Sequence, residues 1–205
     1  MGESWIGSVR WKTKNEEIPL DYNKIEMNAL ETIFIKNKEH SPKVIADIDL
    51  ITIFISDSFY EGKIDWDNLE KYFVIRTYST TTLVECKLNN KHIKSFPLIE
   101  EYVNNDYPEW DNGGIPDDLF EMICEMENSD EVNYYDDIVE EMYSQHKIGG
   151  YPNFIQSGYW FDDGYEYVLQ ISSDEKAKLN IIDNGNFYFY YNVNKNDWKV
   201  YCDFY

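Results

Sequence analysis

His146-Lys147-Ile148-Gly149-Gly150-Tyr151-Pro152-Asn153-Phe154-Ile155-Gln156, followed after a turn by Tyr165-Glu166-Tyr167-Val168-Leu169-Gln170, is the stretch on which the reading of this chain rests. Two adjacent glycines with a proline close behind cannot lie inside a helix. Glycine is used where the backbone needs positive φ or a close approach, and proline holds φ at about −65°, so Gly149 to Pro152 predicts a corner. From it onward four aromatic runs read as strands: 151–156, 165–171, 186–193 and 198–204. Turn residues separate them at Gly158, Asp162-Asp163-Gly164, Asp183-Asn184-Gly185 and 194–197. A C-terminal meander of antiparallel strands is expected.

Upstream of the corner, Ile115-Pro116-Asp117-Asp118 places proline at a helix start and acids in its first turn, where the macrodipole favours negative charge. Leu119, Phe120, Ile123 and Cys124 then form one apolar stripe. Val132, Tyr135, Ile138, Val139 and Met142 form a second over 130–143. Two helices are predicted, each turning a row of carboxylates outward: Asp118, Glu121 and Glu125 on the first, Asp136, Asp137, Glu140 and Glu141 on the second. Further back, 29–35 and 45–55 are β-branched and aromatic runs. The second is apolar on both faces in its later part, which marks a central strand. Residues 5–11 read as a short strand and 64–72 as a short helix capped by Asp65. Residues 74–78 and 82–88 read as a hairpin joined through 79–81, and 107–114 as a loop. With no linker and no repeat, the expectation is a single α+β domain over 1–205: an antiparallel sheet with a few helices, two of them acidic.

The segments HKIGGYPNFIQ (146–156), YEYVLQISSD (165–174) and the 183–185 turn leading into FYFYY (187–191) together resemble the DUF1963 (YwqG-like) family. Its pattern is approximately H-K/R-[IL]-G-G-Y-P…Q, then L-L-Q-I-D-S-D, then W-G-D-x-G and an aromatic strand. The matching positions are His146, Gly149, Gly150, Tyr151, Pro152, Gln156, Gln170, Asp183 and Gly185. Ser172 stands where the family usually has Asp, Ile181 or Ile182 replaces the tryptophan, and the family's N-terminal glycine-rich segment has no evident counterpart. The resemblance covers roughly the last 60 residues. It implies a context: relatives are of unknown biochemistry, and some are encoded beside bacterial polymorphic toxins, which implies an immunity-protein role.

Charge is the strongest compositional statement. The net charge is −21, from 39 acidic against 18 basic side chains, and it is unevenly placed. Between Ser95 and His146 there is no Lys or Arg, while residues 100–141 hold 16 acids. Nucleic acid or an anionic membrane surface would be repelled by such a field, and a cationic partner drawn to it. No run approaches the ~18 apolar residues that span a bilayer, and the N-terminus has neither a secretory nor a myristoylation pattern, so a cytoplasmic protein is expected. Cys86, Cys124 and Cys202 lack CxxC spacing and read as small buried hydrophobes, not as a disulfide or zinc framework.

Catalytic signals are weak. His40 and His92 sit in lysine-containing loop text, and His146 reads as a structural residue that caps the preceding helix or bonds the Gly-Gly turn. Paired acids lack calcium-loop spacing, and Gly149-Gly150 lacks the Lys-Ser/Thr of a phosphate loop. Gln156 and Gln170 read as satisfying backbone groups within the sheet. Neither a metal nor a cofactor is expected. The reading is therefore a non-enzymatic binding protein of immunity type, neutralising a cationic toxin domain through an acidic face made by Asp117, Asp118, Glu121, Glu125, Asp136, Asp137, Glu140 and Glu141. The alternative is a small-ligand or metal-binding protein using a pocket at the Gly149-Gly150 corner, with His146, Gln156 and Gln170 facing it.

Overall fold

A computed structural model describes residues 2–205 apart from 63, 80, 81, 110–114, 116, 130, 131 and 163, and apart from the side chains of 117 and 118. Two antiparallel sheets share one core. The first is formed by β1 (Ser4–Ile6), β3 (Asn28–Phe34), β4 (Leu50–Ile55), β5 (Phe73–Tyr78) and β7 (Phe96–Leu98), in the order β5-β4-β3-β1-β7. The second is a meander of β8 (Lys147–Ile148), β9 (Glu166–Ser172), β10 (Asn186–Asn192) and β11 (Asp197–Asp203), in the order β11-β10-β9-β8. Every residue of β4 is buried, as an interior strand apolar on both faces requires. Its Ile51, Ile53 and Ile55 enter the main core with Leu169, Ile171, Phe187 and Phe189 of the meander. Phe54, on its other face, packs with Val9, Met27 and Ala29 in a second, smaller core.

That second core is closed by a two-stranded arm, β2 (Ser8–Thr13) paired with β6 (Leu83–Asn89). Gly7 makes the bend from β1 into β2. Its φ is +69, and a Cβ there would lie 2.5 Å from the Lys94 carbonyl oxygen, so only glycine fits without a shift.

Four expectations are corrected. Residues 74–78 and 82–88 are not a hairpin: β5 pairs with β4, and β6 with β2. Phe73 enters the main core, whereas Val74 of β5 and Cys86 and Leu88 of β6 pack on the same second core from two different sheets, so the two strands share a core without pairing. Residues 64–72 form 3-10 turns over Trp66–Tyr72, broken at Asn68 (φ −139), not an α-helix. The second acidic helix is replaced by a single π-helical turn at Tyr134–Ile138. There Asn133 Oδ1 accepts from the Asp136 N–H and Asp137 Oδ2 from the Asn133 N–H, local side-chain bonds that compete with a continuing helix, and Val139 has already left helical geometry (φ −78, ψ 115). Finally, 151–156 is not a strand but a covering segment across the outer face of the meander, and the fourth strand is the short β8. Phe154 packs on Tyr188 there, with ring centroids 4.9 Å apart. The predicted first acidic helix is present as α2 (Asp117–Asn128), after a short α1 (Asp57–Tyr60).

Candidate functional site

The Gly-Gly corner is held by side chains recruited from across the molecule. Gly149 donates its N–H to the Val168 carbonyl at 2.8 Å, and Gly149 and Gly150 have φ of +72 and +67. Asp106 lies against Gly150, where a Cβ would come 2.2 Å from its Oδ2. That oxygen accepts from the Tyr151 N–H at 2.8 Å and from Lys147 Nζ at 2.9 Å. Burial lowers the Lys147 pKa, and the Asp106 carboxylate opposes the shift.

Gln170 reaches from β9 under the covering segment. Its Oε1 accepts from the Asn153 N–H at 2.9 Å, and its Nε2 donates to the Ser144 carbonyl at 3.0 Å. Asp203 Oδ2 accepts from the N–H groups of Ile155 (2.9 Å) and Gln156 (3.2 Å). These side chains take the place of the neighbouring strand that 151–156 lacks. Burial raises the Asp203 pKa, against the pull of those bonds and of the Tyr188 hydroxyl. Gln156 donates through Nε2 to the Phe204 carbonyl. His146 Nδ1 accepts from the Ser172 N–H at 3.2 Å, which places its ring proton on Nε2. Nε2 lies 3.5 Å from Asp174 Oδ2 without hydrogen-bond geometry, and burial lowers the His146 pKa against the attraction of Asp174. Of the turn residues, Gly185 packs where a Cβ would lie 2.2 Å from the Asp203 carbonyl oxygen. Asp183 accepts from the Tyr205 N–H through its backbone carbonyl.

Beside this network opens a cleft of about 580 Å³, lined by Ser144, Asn153, Ser172, Asp174, Asn180 and Asn186 among others. Neither His146, Gln156 nor Gln170 lines it; they hold the backbone around it. Asn153, Asn186 and Asp174 are the residues that sequence reasoning passed over. Asn153 and Asp174 lie inside the quoted segments, but only the fold turns them to one space.

The family described as Domain of unknown function (DUF1963) matches residues 12–202. The chain belongs to the DUF1963 family. The match extends the resemblance from the C-terminal segments to nearly the whole chain, the N-terminal sheet included. No curated protein matches the chain.

In this DUF1963 chain the acidic segment folds on a small apolar cluster of its own: Ile115, Ile123 and Tyr134, with Leu119, Ile138 and Val139 against them. The Tyr134 hydroxyl donates to the Pro108 carbonyl at 2.8 Å, tying the turn to the preceding loop. Among the described residues six carboxylates of the segment are used internally, Asp137 accepting from the Asn133 N–H and Glu141 from the Tyr143 hydroxyl among them. Glu100 accepts from Ser4 and pairs with Lys36, and Asp106 pairs with Lys147. Glu109 accepts from Asn153 Nδ2, and Glu127 from the Tyr134 N–H. Of the eight acids expected on the partner face, Glu121, Glu125, Asp136, Asp137, Glu140 and Glu141 are all exposed. The side chains of Asp117 and Asp118 lie outside the described residues. Large apolar side chains are exposed in the same segment: Ile99 (96%), Tyr102 (57%), Phe120 (41%), Met122 (52%) and Tyr135 (39%). Among the described residues no helix is long and apolar enough to cross a membrane.

Proposed function

We propose that this DUF1963 protein is a non-catalytic binding protein of immunity type, which docks and neutralises a cationic toxin domain on the segment 99–143. The observation that carries the reading is the composition of that exposed surface. Among the described residues eight carboxylates are exposed in a stretch without a single Lys or Arg, interleaved with exposed Tyr, Phe, Met and Ile. Solvated surfaces normally mix charge signs, and like charge held together destabilises the fold that carries it. A basic partner offsets that repulsion, and the apolar side chains supply the desolvated centre that charge alone lacks.

A search of the neighbouring genes for a basic toxin domain, followed by binding of the purified chain to that domain measured against ionic strength, tests the reading. The expected result is fast, tight association that weakens steeply with salt. Replacing Glu121, Glu125, Asp136 and Glu140 together by Lys should abolish it while leaving the melting temperature within a few degrees, because none of these four side chains supports the core. An unchanged affinity in that variant would remove the idea.

A further inference from the structure

The cleft beside the corner has a floor of polar groups more deeply buried than a surface dimple requires. Asn153, Ser172 and Asn186 are 8%, 6% and 4% exposed. Burying carboxamides is unfavourable unless their hydrogen bonds are made. Their Nδ2 groups are used: Asn153 donates to the Glu109 carboxylate, and Asn186 to the Asn153 backbone carbonyl. Both of those partners only accept, so each amide has one permitted orientation. Among the described residues neither Oδ1 has a partner. Asp174 contributes a third acceptor. Its Oδ1 takes the Ala177 N–H at 2.8 Å, while Oδ2 has only the distant His146 Nε2. The cleft thus presents acceptors on one side, with the Asp174 carboxylate among them. At the rim the exposed Glu175 and Lys178 are opposite in sign.

Ser144 and Asn153 also link the cleft to the acidic segment: Ser144 lies three residues after Glu141, and Asn153 is bonded to Glu109. We infer that the cleft is a socket for a guanidinium group, the side chain of an arginine presented by the basic protein that docks on segment 99–143. A guanidinium carries five donors in one plane and no acceptor, so it serves a carboxylate and two carboxamide oxygens together; an ammonium offers three donors from a point. A volume of about 580 Å³ holds the group with the end of its stem. The identity of the arginine's owner rests on the acidic-segment reading, whereas the socket itself does not.

N-acetyl-arginine-N-methylamide, titrated into the full chain and followed by NMR, tests the socket without a partner. Saturable binding with a dissociation constant on the order of 1 mM is expected, with shifts centred on Asn153, Asp174 and Asn186. The matching citrulline compound, of similar shape but neutral, should not bind. Asp174→Asn keeps the cap on Ala177 and should weaken binding roughly tenfold. Lys178→Ala removes a rim cation and should strengthen it by about twofold to threefold. Equal binding of citrulline, or no response to Lys178→Ala, overturns the proposal even if Asp174→Asn fails to fold. Free arginine binding at least roughly tenfold tighter than the blocked compound would make the ligand a free amino acid and overturn the side-chain assignment. The four-site Lys variant of the acidic segment should bind the arginine compound as the parent does, so the failure of either reading is recognisable separately.

Discussion

Glu31 is the residue whose position is hardest to reconcile with its chemistry. It sits on β3 between Ile6 and Ile53 in register, is 3% exposed, and leaves Oε2 without a hydrogen-bond partner. Burial pushes its pKa up from 4.5 to about 8. The folded state therefore holds a proton that the unfolded chain releases above its ordinary value. Stability contributed by this group is complete below about pH 4.5, falls by about 1.4 kcal/mol per pH unit as pH rises toward 8, and is lost above it. Glu31→Gln removes the titration. Urea unfolding of both proteins at several pH values should show the variant gaining on the parent from pH 5 to 8, and parallel curves would refute the protonated carboxyl. Gly150 gives a second outcome at this scale. Gly149→Ala should cost about 1 to 2 kcal/mol for positive φ alone, since the new methyl lies 3.4 Å from Pro42. Gly150→Ala should cost roughly 2 to 4 kcal/mol, because its methyl must also displace the Asp106 carboxylate from Lys147 and Tyr151. The corner was legible in the sequence because glycine and proline report local backbone geometry. Asp106 was not: in a tract of 16 acids nothing local distinguishes the one that turns in against Gly150.

Elements repeat the same division. β3, β4, β9, β10 and β11 were readable because a strand buried on one or both faces leaves a run of β-branched and aromatic residues. Pairing is a property of the fold, and the false hairpin between β5 and β6 shows why. Both strands have suitable patterns and a short connection, yet they belong to different sheets and meet only through the second core, where Val74 of β5 packs with Cys86 and Leu88 of β6. The arm of β2 and β6 also differs in depth, since most of β6 is exposed or half-buried whereas all of β4 and β10 is buried. Amide hydrogen exchange should therefore be slowest in β4 and β10 and several orders of magnitude faster in β6, with the arm opening while the two sheets remain closed. Equal protection would mean that the arm and the sandwich unfold as one unit. The missing second acidic helix is a lesson of another kind. The apolar stripe at helical spacing was present, but the chain buries Tyr134 and leaves Tyr135 exposed, and the Asn133 and Asp137 side chains bond the local backbone, which hydrophobic patterning ignores.

At the scale of the whole molecule the charge distribution has a thermodynamic signature that needs no partner. A net charge of −21 repels itself, and the 16 acids between 100 and 141 concentrate that repulsion on one segment. Internal pairing relieves it at Glu100 and Asp106 alone within the segment, among the described residues. The exposed carboxylates are the ones that salt screens, since the Debye length falls from about 20 Å near 20 mM salt to about 4 Å near 0.5 M. The isolated protein should accordingly melt at a higher temperature in 0.5 M sodium chloride than at 20 mM, the opposite of a fold stabilised by surface ion pairs. Neutralising Glu121, Glu125 and Glu140 to Gln and Asp136 to Asn should raise the low-salt melting temperature and shrink the salt-dependent increment. If calorimetry finds the increment unchanged, the repulsion is spread over the whole surface. The segment 99–143 would then lose its claim to be the place where a cation is missing.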